Sequence, residues 1–600
     1  MTRKADPIPA GIILSKGLFL LDCLQHFKKE LIMRNLYIAL FALIFVAGSC
    51  NDILNVEPLD SVSDSNTWND PELLELYVNS RYDELPHGFV QWAGGLRVTS
   101  LTDESYDIHQ GSRLVNKYTQ GEITPTNMHL FGGFWIQAYS AIRNLNLFLE
   151  KADPELGDPD RTAQLIAEVR FLRAWFYTEL FSRYGEIPLL DYTVSVEGAN
   201  QILERSPVAE VVSFIESELT EAAEILPETY SGEDFGKATK GASIALKARA
   251  LLYAASPLFG NSTTDEWQKV ADACEELFDL DVYSLSEDYQ AMFLDVQNPE
   301  IIFFKQFSQV RGPEINFEMG YYMPSGGHNI DEWRLPNGNN GWSQENPLMN
   351  LIDVYETTGG EIPVLGYTGN ENDLSPVLNS NAVQYDPANP YDNRDPRLSY
   401  SVVYDGSMIN DREVEFWECG TDSRCDEVDS WWNGPLIDHT IRKGLDLDWQ
   451  TGTGLNSNTP YIYMRLAEFY LTYAEAQFHL GNTGTAEEYV NRVRSRPGVN
   501  MPPIESSQTG SDLLTKIKHE RKVELAFEGN RWYDARRWLD AETEFSEDAV
   551  GLEVIRDEVT GDKSYRYFVQ QQRSFPSSHY LFPIPNEEIN KTNWTQNPGY

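Results

Sequence analysis

RTAQLIAEVRFLRAWFYTELFSRYGEIPLL, residues 161 to 190, is the stretch from which the fold is read. Apolar side chains at Leu165, Val169, Leu172, Phe176 and Leu180 recur at helical spacing, and Phe171, Trp175 and Phe181 fill a second face. A helix apolar on two sides must be covered on two sides, so this is the middle helix of a stack. It ends at Gly185, which can take a backbone conformation closed to other residues, and Pro188 cannot extend the hydrogen-bond ladder.

The flanks supply the neighbours. Upstream, Trp135, Tyr139, Ile142 and Asn146 share one helix face. Downstream, Ser206-Pro207 opens a helix striped with Val211, Phe214, Ile215, Leu219, Ala222 and Leu226, an Ala-rich helix follows from Thr239 toward Pro257, and DEWQKVADACEELFDL gives another. Paired helices of this length joined by short turns resemble a tetratricopeptide-like array, although the repeat consensus is not intact. Helices return at 465–480 and 485–494, then over 511–538 with a break expected at Gly529. The reading is an all-α fold: tetratricopeptide-like helix pairs in a superhelical scaffold, carrying a large irregular, loop-rich C-terminal subdomain. Between residues 298 and 459, short apolar runs sit among Gly, Asn, Pro and Asp with scattered aromatics, and the tail from His579 onward reads as irregular. So much irregular chain in a folded protein is usually functional surface.

Six hundred residues exceed what one core usually serves. The formal net charge is −45, and residues 1–49 hold more basic than acidic groups, so the remainder is more acidic still. Such a surface repels phosphate backbones and anionic headgroups, which argues against nucleic-acid partners. The start, Met33-Arg34-Asn35, an apolar run from Leu36 to Val46 and then Ala47-Gly48-Ser49-Cys50 look like a bacterial lipoprotein signal, with Met33 the better start and Cys50 the acylated first residue. Ala47 departs from the usual Leu three residues before the cut. The organisation read from this is 1–49 leader, 50–69 tether, 70–297 helical region opened by Asp70-Pro71, and 298–600 C-terminal region. Cys274 reads as a buried free thiol. Cys419 and Cys425 lie in one polar loop, and an exported chain could close it with a disulfide.

At these helices the chain resembles the SusD/RagB family of Bacteroidetes surface lipoproteins. The resemblance rests on W135-x3-Y139-x2-I142-x3-N146, residues 167–189, GKATKGASIALKARALLYAASP, YDNRDPRL at 391–398, RLAEFYLTYAEAQFHLGN, YVNRVRSRPGV, ERKVELAFEGNRWYDARRW and the terminal PIPNEEI with QNPGY. It implies four tetratricopeptide-like pairs, a lipid-anchored position facing the cell exterior, and delivery of captured oligosaccharide, or peptide in some members, to a SusC-like TonB-dependent transporter.

Catalytic signatures are thin. HExxH, GxSxG and CxxC do not occur, and the nearest approach to a phosphate loop, around Gly232 to Lys237, is one residue short. The expectation is a binding protein rather than an enzyme, with a glycan as ligand; peptide capture is the alternative, and a structural scaffold or a glycoside hydrolase ranks below both. Arg531, Asp534 and Arg537 read as neighbouring ion pairs on one helix, and Arg394, Asp395 and Arg397 as the fastening of a rigid Pro turn. Glycan C–H faces pack on aromatic rings and their hydroxyls need polar partners. Trp92, Tyr118, Trp333, Trp342, Trp431 and Trp432 are therefore the aromatic candidates, with Arg97, Asp103, Asn337 and Asn340 as polar ones. No cofactor is expected. For a structural Ca²⁺ the oxygen donors on offer are Asp446 with Asp448 and the run Asn370 to Asp373, neither with the glycine of an EF-hand, and a solvated loop explains both.

Overall fold

Helix formation begins with local chemistry that the sequence displays. In a computed structural model of the chain, Asp70 accepts the Glu72 N–H at 2.9 Å to start Pro71–Tyr82 (α1). Asp158 caps the central helix in the same way, and Gly185 ends it at φ 75°. The structure describes residues 67–88, 98–107, 115–194, 203–307, 345–409, 411–423, 436–447, 459–505 and 510–600. The chain divides into Met1–Asn69 and Asp70–Tyr600, and the account below concerns the second unit.

After α1, a short β1 (Ser105–Asp107) and α2 (Val115–Thr119) lead into α3 (His129–Lys151), α4 (Pro159–Tyr184), α5 (Val208–Ile225), α6 (Lys240–Ala255) and α7 (Thr264–Phe278). Strands β2 (Ile301–Lys305) and β3 (Glu345–Pro347) precede α8 (Met349–Ile352), β4 (Val364–Asn370), β5 (Asp373–Leu378) and α9 (Pro396–Ser401). Then come β6 (Val402–Tyr404), β7 (Met408–Ile409), β8 (Arg412–Glu413), β9 (His439–Ile441) and β10 (Tyr461–Arg465). The chain closes with α10 (Leu466–His479), α11 (Thr483–Arg494), α12 (Gly510–Glu524), α13 (Asn530–Arg537), α14 (Ala541–Glu544), β11 (Ala549–Arg556), β12 (Lys563–Gln571) and α15 (Asn586–Thr592).

Helices α3 to α7 pack each on the next, and α10 with α11 extends the stack against α7 and α6, so the array crosses residue 298. From Phe171 to Tyr184, α4 is buried throughout except at Glu179, as a helix covered on two sides must be. Of its two buried cations there, Arg173 donates to Glu218 of α5 and to Asn146 of α3, each at 2.7 Å, and Arg183 pairs with Glu179 at 2.5 Å. Asn146 in turn donates to the carbonyls of Leu190 and Tyr192, which explains the Asn that ends the W-Y-I-N pattern. Cys274 is a buried free thiol.

The all-α expectation needs correction. A four-stranded antiparallel sheet runs β11-β12-β5-β4, with two-stranded pairs β1-β3, β2-β10, β6-β9 and β7-β8. A core of Leu552, Val554, Tyr567, Val402, Ile441, Phe416, Tyr355 and Phe527 packs against these strands and carries the C-terminal part that the sequence presents as irregular. The tail is likewise ordered: α15 forms, and Asn597 donates to the carbonyls of Tyr184 and Phe582, so the closing residues clamp the end of α4.

Candidate functional site

Most of the aromatic and polar candidates fall outside the described residues: Trp92, Arg97, Trp333, Asn337, Asn340, Trp342, Trp431 and Trp432, together with Cys50, Cys425 and Asp448. What the structure gives is the residues from which their segments depart. Phe307 packs edge-on against His87 at 5.2 Å, and the same imidazole lies 5.9 Å from the ring of Tyr461. Gly88 meets that tyrosine so closely that a Cβ on it would sit 3.0 Å from the ring. Gly529, at φ 87°, brings the backbone against Val98, where a Cβ would lie 3.1 Å from the valine methyl.

From Val98 the contacts continue without a break. The hydroxyls of Thr99 and Ser105 donate to the Glu345 carboxylate, and β1 pairs antiparallel with β3, Asp107 opposite Glu345. Asn346 accepts the Leu436 N–H at 3.0 Å and donates to the His439 carbonyl at 3.1 Å. Gly88, Val98, Asp107, Phe307, Glu345 and Leu436, which flank the segments 89–97, 108–114, 308–344 and 424–435, therefore meet along one seam. Polar pairs join residues 246 and 240 positions apart there, and the apolar contacts of His87 with Tyr461 and Val98 with Gly529 span longer separations still.

The seam stands on a charged floor that corrects two candidates. Asp103 is 5% exposed: it accepts both Arg531 Nε and Nη2, at 2.9 and 2.8 Å, and Lys522 Nζ at 2.7 Å. Burial opposes its ionised form, but the two cations hold its pKa well below the usual carboxylate range. It is buried, with both carboxylate oxygens engaged by cations of the fold. Tyr118 is 1% exposed, stacked on His579 at 4.9 Å with its hydroxyl accepting Trp532 Nε1 at 2.8 Å. It too is interior. Arg531 likewise departs from the neighbour-pair reading, since it reaches Asp103 and Glu544; of the expected helical pairs, Asp534 with Arg537 forms at 2.8 Å. The NRDPRL turn holds as read: Arg394 donates to the carbonyls of Ile352, Tyr355 and Pro390, and Arg397 to Asp395. The run Asn370 to Asp373 is the turn of the β4–β5 hairpin.

Beside Gly88 and Val98 opens a cleft of about 60 Å³, lined by Trp175, Glu179, Arg183, Tyr253, Tyr461, Glu528, Asn530 and Tyr533. Tyr533 donates to Glu179 at 2.8 Å, and Tyr253 stacks flat on Tyr533 at 5.5 Å. Burial pushes the Tyr461 phenol up to about 12, so it remains a donor at physiological pH. The cleft admits a few ordered waters and no sugar ring. These residues escape sequence reasoning because α4 contributes three of them and α6, β10 and α13 one or two each, from positions hundreds of residues apart.

Glu104, between Asp103 and β1, is fully buried. It accepts the Phe527 N–H at 2.9 Å, yet burial and the Asp103 charge raise its pKa to about 8. A carboxyl raised in the folded state binds its proton more tightly there, so its contribution to stability is greatest below pH 4.5 and is lost as pH rises toward about 8. Glu104→Gln, neutral throughout, is expected to match the parent protein near pH 5 and exceed it above pH 8. The gap should grow by at most ~1.4 kcal/mol per pH unit in thermal melts. Parallel melting curves for the two proteins across that range would refute the assignment.

Among the described residues no helix is long and apolar enough to cross a membrane, and no cluster of metal-ligating side chains occurs. Residues 299–600 match the family model described as SusD family, and residues 54–252 match one described as starch-binding associating with outer membrane. A SusD-like protein of Formosa agariphila is 25% identical over 95% of this chain and 100% of its own length. A solved SusD-like protein of Bacteroides fragilis has TM-score 0.72 at 26% identity, covering 91% of this chain and 100% of that one. A second structure from the same organism, named a SusD-like carbohydrate binding protein, has TM-score 0.70 at 24% identity, covering 87% and 98%.

Proposed function

The chain belongs to the SusD/RagB family, and on that footing we propose that it is a non-catalytic glycan-binding lipoprotein of the outer membrane. In this reading Cys50 carries the lipid anchor, the protein faces the cell exterior, and captured oligosaccharide passes to a partner TonB-dependent transporter. The observation that supports the binding role is the seam: the described residues that flank the segments holding Trp92, Trp333, Trp342, Trp431 and Trp432 lie along one line of contacts, linked directly or through Tyr461, Gly529 and Asn346. Aromatic residues with Asn and Arg among them, as the sequence of those segments offers, suit the alternating apolar faces and hydroxyl edges of a neutral sugar chain.

Affinity electrophoresis and calorimetry of residues 51–600 against a polysaccharide panel test this. Binding is expected to survive EDTA and to weaken about tenfold or more on Trp333→Ala or Trp92→Ala, the loss typical of a buried aromatic anchor. Binding to peptides alone would move the assignment to peptide capture, and turnover of a glycan by pure protein would overturn the non-catalytic reading.

A further inference from the structure

Strand β2 separates two environments. Phe303 turns toward the interior, 5.6 Å from Trp175 and 5.3 Å from Tyr463, while Phe304 turns the other way and meets Phe235 at 5.4 Å. On the Phe304 side lies a cavity of about 530 Å³, bounded by the loop joining α5 to α6, by Tyr283 after α7 and by the segment entering β2. That volume lies within the range of small-molecule sites.

The walls are built and not incidental. Gly241, in the first turn of α6, is where the Tyr283 ring rests: a Cβ there would sit 2.2 Å from the phenol oxygen, so only glycine allows this seat. Tyr283 and Thr239 hydroxyls then lie 3.3 Å apart on the cavity wall. Tyr230 also lines the cavity through its ring, while its hydroxyl is buried on the side of Glu168 and Asp234.

The wall also says what chemistry suits it. Its cation, Lys237, is already held by Asp234 at 2.6 Å and Glu75 at 3.4 Å. The remaining acidic wall group is the exposed Glu228, which disfavours anions, as does the whole acidic chain. Phe235, Phe304, Tyr230 and Tyr283 offer rings; Thr239, Gln297 and the Tyr283 hydroxyl offer polar edges. We infer that this cavity is a second ligand site, separate from the loop seam, that takes a neutral polyhydroxylated ligand of one or two sugar rings. The location rests on geometry alone; the preference for sugar over other neutral polyols rests on the reading above.

The test is saturation-transfer NMR with maltose, cellobiose, lactose and xylobiose as probes. The protein carries Trp92→Ala, Trp333→Ala, Trp342→Ala, Trp431→Ala and Trp432→Ala, which remove every tryptophan assigned to the loop seam. At least one disaccharide is expected to receive saturation from this protein, and the signal is expected to vanish when Gln297→Trp fills the cavity from its exposed rim. Tyr283→Phe, which deletes a hydroxyl of the cavity wall and keeps the ring seated on Gly241, should weaken the signal as well. No transfer to any of the four probes, or transfer unchanged by Gln297→Trp, would overturn the site. Polysaccharide binding by the unsubstituted protein would still stand, so the two readings fail separately.

Discussion

Glu524→Gln is expected to lower stability by about 3–5 kcal/mol at pH 7, among the largest effects of any single substitution in this chain. The carboxylate is fully buried and accepts from Arg397 at 2.8 Å, from Arg465 at 2.7 Å and from Arg496. Its backbone carbonyl accepts from Tyr289, Lys443 and Arg465. Burial pushes the Glu524 pKa up, but the Arg496, Arg465 and Arg397 charges overcome it and hold the group far below its ordinary 4.5. A carboxyl lowered by folding contributes fully above pH 4.5 and loses that contribution as pH falls toward the folded value. The gap between Glu524→Gln and the parent in urea midpoint should therefore be full at pH 7 and narrow below pH 4.5. Equal midpoints at pH 7 would show that the guanidinium groups find other partners.

That cluster explains how so much irregular chain stays in place. Arg465 also binds Glu300 and Glu528, Arg496 binds Glu300, Arg494 binds Glu356 and Glu520, and Arg397 binds Asp395 and Glu520. The ends of β2, α8, α9, β10, α11 and α12 are thus tied through charge at points where their apolar surface is short. Replacing the whole cluster by apolar residues need not destabilise the fold, whereas removing one member leaves a buried charge uncompensated.

The central helix was readable because its evidence is local: a 3.6-residue apolar period, Asp158 before it and Gly185 after it. The C-terminal sheet was not. Strand β11, AVGLEVIR, is buried without the alternation that marks a strand, and β12, KSYRYFVQQ, is mostly half-exposed, so neither shows a clean period of two. The tail reads as irregular by its Pro and Asn content, yet Asn597 is there to accept Arg205 and to cap the carbonyl of Tyr184, a tertiary role with no local signature. At the site, Tyr118 stands among polar neighbours and reads as surface, while its partners Trp532 and His579 lie more than 400 residues away. The charges of FEGNRWYDARRW read as helix neighbours for the same reason: Asp103 is 428 positions from Arg531, beyond any spacing rule. The loop tryptophans stay expectations from sequence, and the structure adds that the described residues flanking their segments lie along one seam.

Arg531→Met is expected to cost about 3–5 kcal/mol and to abolish glycan binding at the same time. The guanidinium is 4% exposed and grips Asp103 through two bonds, so its loss leaves a buried carboxylate held by Lys522 alone. Asp103 is joined directly to Glu104, which accepts the Phe527 N–H, and to the strand that pairs with Glu345. Loosening it should release Val98–Asp107 from α13 and unseat the ends of two candidate loops together. Hydrogen exchange at residues 98–107 is expected to rise well before global unfolding, because opening there needs only the seam to part. The double variant Asp103→Leu with Arg531→Met removes both charges and should recover part of the stability and of the protection in that segment. If Arg531→Met destabilises the protein while exchange at 98–107 and polysaccharide affinity stay at parental levels, the seam is not what positions the binding loops.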